Sequence, residues 1–358
     1  MEGLVALRDR GVLLTGHTGF KGSWLALWLA ELGARVHGYA LAPPTEPNIF
    51  EVAGVAQVLA SDTRADLADL AALTALLDRT RPEVVFHLAA QPLVREGYRD
   101  PLGTMATNVM GTANLLEAVR GVDSVRAVVV VATDKVYENR ETGHAFTEGE
   151  PLGGKDPYSA SKAAAEIVVA SYRSSLFGNR RHPARIASAR AGNVVGGGDW
   201  AADRLVPDCM RAFAAGEPAR LRHPDAVRPW QHVLEPLSGY LVLAARLLDD
   251  GGEPFARAWN FGPDASDDAS VGEVAQRVAS LWGDGAQVER AQDAEWQEAG
   301  LLRLDSTQAR TELGWAPRWS LQQALEQTVA WQQAWLRGDV MQGVCRGQIA
   351  TYVQAAAR

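Results

Sequence analysis

The stretch GVLLTGHTGFKGSWLALWLAELG, residues 11–33, decides the fold. GVLLTG (11–16) is an apolar run of strand length, and a helix follows from about Ser23 to Leu32, stopped by Gly33. Between them stand Gly16, Gly19 and Gly22 in G-x-x-G-x-x-G spacing. A tight turn, a close backbone approach to a pyrophosphate and a helix N-terminus facing negative charge all call for glycine at such places. An ordinary glycine-rich turn is the bland alternative, and it loses weight because the loop follows the first strand of a longer alternation.

That alternation runs outward from the loop. ARVHGYAL (34–41), EVVFHLAA (83–90), VRAVVVVAT (125–133) and ARIASAR (184–190) read as strands, separated by helices over 66–79, 101–120 and 159–175. Strands that are apolar on both faces and alternate with helices predict an α/β fold, a doubly wound parallel Rossmann-type sheet. After Arg190 the chain turns to loops rich in Gly, Pro and Asp, among them GNVVGGGDW (192–200) and RHPDAVRPWQHV (222–233). RAWNF (257–261) reads as a strand returning to the main sheet. The division expected is a dinucleotide-binding domain over 1–190, with a returning segment at about 233–262. A smaller, interleaved C-terminal substrate domain takes 191–232 and 263–358. Ligands in such folds bind at the carboxyl ends of the strands.

The bulk numbers narrow the function classes. With 358 residues, 47% hydrophobic and 22% charged, the chain can bury a large core. A net charge of −8 argues against a nucleic-acid coat. Cys209 and Cys345 have no metal-ligand spacing, so neither a structural metal nor a disulfide framework is expected. No signal-peptide layout and no apolar run of membrane length is present, and a cytoplasmic protein with no membrane contact is the expectation.

Chemistry is concentrated in a few places. Asp62, after the apolar VLAS (58–61), is positioned to accept from an adenine amino group, a solvated loop acid being the alternative. HLAAQ (87–91) ends a strand in small residues, so Leu88, Ala89 and Ala90 let a flat cofactor lie close to the backbone. The second strand ends His37, Gly38, Tyr39, Ala40, Leu41, with no acid for a ribose hydroxyl and no arginine for a 2′-phosphate. It therefore does not discriminate NAD from NADP. TDKVY (133–137) and YSASK (158–162) come next. Tyr158 and Lys162, four apart at a helix start, share a face. A phenol with an ordinary pKa of about 10 needs a neighbouring cation to act as a base, and the Thr133 hydroxyl can share its proton. A solvated helix face and a structural ion pair at Asp134-Lys135 are the bland readings of these two motifs. For a diphosphate, Arg204 and Arg228 suit forked contacts, with Asn193 for a sugar or phosphate oxygen. Trp200 or Trp230 could cover a flat group, and Tyr98 and the AAQPLVR segment (89–95) could border a sugar.

TGHTGFKG, Asp62, HLAAQ, the Thr133/Tyr158/Lys162 set and GNVVGGGDW together resemble the extended short-chain dehydrogenase/reductase superfamily. Within it, TGHTGFKGSW, AAQPLVR, GNVVGGGDWAADRL and RPWQHVLEPLSGY resemble the nucleotide-sugar 4,6-dehydratases that act on CDP-glucose, over about residues 11–337. The resemblance implies NAD held by Gly16, Thr18, Gly19, Phe20, Lys21, Gly22, Asp62, Leu88, Ala89, Ala90, Tyr158 and Lys162. It implies a nucleotide-sugar, CDP-glucose, held by Gln91, Asn193, Arg204, Leu205, Arg228 and His232. It also implies a catalytic set of Thr133, Asp134, Lys135, Tyr158 and Lys162, in which Asp134 is the acid. Lys135 is the base where sister dehydratases carry Glu. A homodimer or higher homo-oligomer and a place in deoxysugar biosynthesis for lipopolysaccharide O-antigen follow from the same likeness. A dehydratase or 4-epimerase acting on another nucleotide-sugar, or a non-catalytic dinucleotide-binding regulator, remain the alternatives.

Overall fold

The apolar run at the start of the quoted stretch becomes the centre of a seven-stranded sheet in the computed structural model, which describes residues 2–178, 181–283, 285–291 and 302–356. β1 (Gly11–Thr15) leads into α1 (Phe20–Glu31), then β2 (Arg35–Ala40), β3 (Ser61–Arg64), α2 (Leu70–Thr80) and β4 (Val84–His87). α3 (Gly111–Arg120), β5 (Ala127–Val131), α4 (Pro157–Tyr172) and β6 (Arg185–Ala191) continue the alternation. After α5 (Leu205–Ala214) and α6 (Leu234–Leu248), β7 (Ala258–Phe261) rejoins the sheet beside β6. The order is β7-β6-β5-β4-β1-β2-β3 with every pairing parallel. The direction of winding reverses between β1 and β4, which places a crevice at their carboxyl ends.

Strand residues alternate between the two faces. Val12 and Leu14 join a cluster with Trp24, Trp28, Val129 and Tyr240, while Leu13 joins Leu76, Leu116, Val128 and Ile186 on the other side. A third cluster lies under α5, α7 (Val271–Trp282) and α8 (Leu321–Leu336), and contains Met210, Phe213, Trp230, Val274 and Leu325. The last helix, α9 (Met341–Gln354), packs on α1 through an edge contact of Tyr352 with Trp28 at 5.6 Å. It is tied down where Tyr352 Oη donates to the buried Glu235 carboxylate at 2.6 Å.

Two local features depart from the sequence reading. Residues 61–64 form a strand, β3, that is not among the strands expected from the sequence. SDTR has no apolar alternation because β3 is the sheet edge and neither of its faces is fully covered. The helix expected over 101–120 contains a π turn at Ala106–Met110, which carries the buried Asn108. Among the described residues no helix is long and apolar enough to cross a membrane, and no His/Cys/Asp/Glu group could hold a metal. Both cysteines are free and buried.

Candidate active site

The glycine loop is a close-packed cradle. Gly16 has φ +75°, and a Cβ there would lie 2.6 Å from the Ala89 amide nitrogen. A Cβ on Gly22 would lie 2.0 Å from the Gly16 carbonyl oxygen, so only glycine lets α1 start this close to the end of β1. Gly19 caps α1 with no side-chain bond to the first-turn amides. Those amides keep their donors for an anion. The cradle and uncapped helix start fit a dinucleotide pyrophosphate. Thr18 Oγ1 donates to Leu41 O at 3.0 Å and ties the loop to the end of β2. The Phe20 ring reaches the substrate side, 3.1 Å from where a Gly196 Cβ would stand.

Asp62 faces Gly38 across β3 and β2, and both its oxygens are engaged. Oδ1 meets His17 Nε2 at 2.8 Å and Oδ2 accepts from Arg64 Nη2 at 2.8 Å. Burial opposes the Asp62 charge, but the bonds from Arg64 and His17 hold the carboxyl below its usual range. The His17 ring fills the space above Gly38, where a Cβ would come within 2.7 Å of it. Sequence reasoning missed His17 and Arg64 as partners of Asp62, because the register that pairs them is tertiary.

The end of β4 packs on the loop. Leu88 N donates to Thr15 O at 3.2 Å and Ala89 N to Thr15 Oγ1 at 3.2 Å, with Ala90 half-buried beside them. Gln91 is expected at the substrate, and its amide links its own loop to the helix Pro101–Met105. Nε2 donates to Thr104 Oγ1 at 2.9 Å and Oε1 accepts from Leu93 N. Asn108 reinforces this by donating to Gln91 O at 3.0 Å and to Ser161 Oγ at 2.8 Å on α4.

The two motifs that opened the chemistry meet at the carboxyl end of β5. Asp156 caps α4 by accepting from Ser159 N at 3.0 Å, and Pro157 takes the first helical position, which sets Tyr158 in the first turn. Lys162 Nζ donates to Val131 O at 3.1 Å. Burial pushes Lys162 down to about 8, with Glu166 opposing. The sequence reading has Lys162 lowering the Tyr158 phenol. Instead burial pushes Tyr158 up to about 12, and the hydrogen bond with Thr133 and the Arg204 charge offset this only in part. Desolvation of the phenolate outweighs the nearby charges.

Thr133 begins the turn Asp134–Val136. Its Oγ1 donates to Asp134 Oδ1 at 2.9 Å, and Lys135 Nζ meets the same oxygen at 3.4 Å. The Asp134 side chain is 0% exposed against 30% for Lys135, so Lys135 is the face this pair presents. Among the described residues Asp134 Oδ2 has no hydrogen-bond partner. A Cβ on Gly192 would stand 3.2 Å from it. Lys21 joins this group electrostatically: burial first, then Arg204, Lys162 and Lys135, push it down to about 7, against a pull from Asp134. Its charge belongs to the reaction centre as much as to the glycine loop.

On the substrate side, Asn193 Oδ1 is buried without a partner among the described residues, while Asn193 O accepts from Gln231 N at 3.0 Å. Arg204 precedes Leu205 at the start of α5 and pairs with Asp199 at 2.7 Å, which keeps it charged despite burial. Arg228 sits buried on the short strand Val227–Pro229, which pairs with Asp268–Ser270. A Cβ on Gly97 would come 3.1 Å from Tyr158 N, so the helix Val94–Arg99, with half-exposed Tyr98, lies against the start of α4.

His232 is expected at the substrate and lies deep. It is 0% exposed, its ring walled by Trp319 at 4.8 Å and Trp24 at 6.2 Å. Its Nδ1 accepts only from Leu234 N at 3.3 Å, and burial pushes it down to about 3. It is walled into the core, with its Nε2 lacking a hydrogen-bond partner among the described residues. Trp230 is likewise core, donating to Ala269 O at 3.0 Å, and Trp200 packs edge-on against Trp331 and Trp335.

Comparison with known proteins agrees with this geometry. The family model described as GDP-mannose 4,6 dehydratase matches residues 13–252. The chain is 47% identical over 354 residues to a CDP-glucose 4,6-dehydratase of Salmonella typhimurium, covering 98% of each. Among solved structures, MoeE5 in complex with UDP-glucose and NAD aligns with TM-score 0.74 at 26% identity, over 91% of this chain and 99% of that one. An epimerase of Methanothermobacter thermautotrophicus shares the fold, with TM-score 0.80 at 22% identity over 94% and 96% of the two chains. With the glycine cradle, the Tyr158–Lys162 helix and the Asp134–Lys135 turn gathered at one end of a parallel sheet, the chain belongs to the GDP-mannose 4,6 dehydratase family.

Proposed function

We propose that this chain is an NAD-dependent hydro-lyase, a nucleotide-sugar 4,6-dehydratase that converts CDP-glucose to CDP-4-keto-6-deoxyglucose and water. The observation that carries it is the ion pair of Lys135 with Asp134 beside the Thr133–Tyr158 hydrogen bond. Oxidation alone uses only Tyr158, Lys162 and Thr133, and a further acid and base are needed only if water is to leave. The near-full-length likeness to a CDP-glucose 4,6-dehydratase supports the substrate.

NAD would be held over the cradle of Gly16, Gly19 and Gly22, and when bound would supply a positive charge and a reversible hydride acceptor beside the sugar. Tyr158 takes the proton of the carbon-4 hydroxyl and shares it with Thr133. The ketone formed at carbon 4 acidifies the hydrogen on carbon 5, and Lys135 removes it. Asp134 gives the proton that carries the carbon-6 hydroxyl away as water. For this the shared proton of the pair must first move from Lys135 Nζ to Asp134 Oδ1 across their 3.4 Å contact, leaving a neutral amine as base and a carboxylic acid as donor, and the ion pair is restored once water has left. Arg204, Arg228 and Asn193 hold the diphosphate and its neighbouring oxygens, and Lys21 adds positive charge to the same pocket.

The protein acts in the cytoplasm, away from membranes, as a homodimer or higher homo-oligomer. Leu102, Met110 and Ile167, exposed on the helices flanking the sheet, support pairing with a second copy there. Incubation with the glucose conjugates of CDP, dTDP, UDP and GDP tests the proposal. A 4-keto-6-deoxy product, absorbing in alkali, should form fastest from CDP-glucose. Steady accumulation of reduced cofactor matched to product, or interconversion at carbon 4 without loss of water, would refute it.

A further inference from the structure

Arg190, the sixth residue of β6, takes part in no step above, yet all three of its guanidinium nitrogens are hydrogen-bonded near the site. It is 3% exposed. Nε donates to Glu166 Oε1 at 2.7 Å and Nη2 to Glu166 Oε2 at 3.0 Å. Nη1 donates to Tyr137 Oη at 2.8 Å and to Glu148 O at 3.1 Å. Each neighbour is held in turn. Ser188 Oγ donates to Glu166 Oε2 at 2.7 Å, and Tyr137 Oη donates to Asn260 Oδ1 at 2.7 Å. Asn260 N donates to Glu148 Oε1 at 2.8 Å.

A buried ion pair is weak grounds for stability, since desolvation offsets most of its attraction and an apolar replacement often folds as well. What distinguishes this one is the set of elements it joins. Glu166 lies on α4, one turn beyond Lys162 and two beyond Tyr158, on the same face. Tyr137 ends the turn that carries Asp134 and Lys135. Arg190 itself stands two residues before Gly192, which leaves room for the Asp134 carboxylate, and three before Asn193.

We propose that Arg190, bridging Glu166 and Tyr137, is a positioning residue that keeps the oxidising pair Tyr158–Lys162 and the eliminating pair Asp134–Lys135 in one register. The inference rests on the dehydratase reading. The sugar must meet both pairs in a single binding event, because the ketone made by the first is the substrate of the second. Reacting groups on different elements must then keep their separation to well under an ångström, and a misplacement of about 1 Å can cost on the order of 10²-fold in rate. The same bridge has an electrostatic side: Glu166 works to raise Lys162, and Arg190 balances that carboxylate.

Tyr137→Phe tests this. It deletes one oxygen, leaves the Glu166–Arg190 pair intact, and cuts the link to the turn together with the Tyr137–Asn260 hydrogen bond. The expected result is a kcat lower by roughly 10-fold to 100-fold with KM little changed. NAD affinity by calorimetry should be unaltered. A larger share of the enzyme should carry reduced cofactor in the steady state, because oxidation continues while elimination lags. Arg190→Lys, which keeps the charge and loses the planar fork, should show the same kcat loss to a greater degree. A Tyr137→Phe protein with wild-type kcat and no extra reduced cofactor, whatever its melting temperature, would make the bridge purely structural and overturn the proposal. Wild-type protein that fails to dehydrate CDP-glucose would instead fail the underlying reading, before any variant is compared.

Discussion

Replacing Gly22 by alanine puts a number on the glycine cradle. The new Cβ would stand 2.0 Å from Gly16 O, 2.7 Å from Gly16 C and 2.8 Å from His17 Cα. A carbon–oxygen contact sits comfortably at about 3.3 Å, so the first turn of α1 must withdraw from the loop by roughly 1 Å. No rotamer relieves this, since all three atoms are backbone or attached to it. Overpacking of this kind costs about 1–3 kcal/mol of stability. The withdrawal also pulls the free amides of the first turn away from an anion. Losing two charge-assisted hydrogen bonds, at about 1.5 kcal/mol each or more, weakens NAD by on the order of 10²-fold. Calorimetric titration with NAD and thermal melting without ligand measure the two effects separately. Gly19→Ala is the control for melting, because its Cβ would meet Gly16 O at 3.4 Å, an ordinary contact. If Gly22→Ala melted and bound NAD as wild type does, the helix start would not be set by this contact.

Three further outcomes follow from the site. Asp134→Asn and Lys135→Ala should still oxidise carbon 4 in part and accumulate reduced cofactor. In deuterated water Asp134→Asn should exchange the carbon-5 hydrogen faster than Lys135→Ala, and equal fast exchange in both would take the base role from Lys135. Arg228→Ala should raise KM more than it lowers kcat, because a diphosphate is gripped alike in ground and transition states; a fall in kcat at constant KM would place Arg228 in the chemistry. Lys21→Met should raise the melting temperature of ligand-free protein at neutral pH. With Lys21 at about 7 folded and near the ordinary lysine value of 10.5 unfolded, the unfolded chain holds more protons between those values. The wild-type penalty is therefore complete below pH about 7 and gone above about 10.5. The advantage of Lys21→Met should shrink as pH rises through that window, and a constant advantage would show that the lysine charge is not strained.

The alternation of buried strands with helices is legible in the chain because periodicity is local. Each parallel strand is covered on both faces, so VLL, VVF and VVVV announce themselves without knowledge of their neighbours. The cradle is legible for a related reason: glycine at Gly16 and Gly22 answers a close approach that few other constraints produce. Tyr158 and Lys162 could be paired from the helical repeat alone. What lay outside the sequence's reach depends on which segments meet. β3 was hidden because an edge strand needs no apolar alternation, and with it went the His17–Asp62–Arg64 contact. The depth of His232 within RPWQHV is likewise a property of its surroundings, since Trp24 and Trp319 close on it from distant parts of the chain. The direction of the Tyr158 shift, the sealing of Asp134 and the bridge made by Arg190 belong to the same class. Each is set by desolvation and by hydrogen bonds between residues far apart in the chain, which the order of residues does not encode locally and the packed structure alone determines.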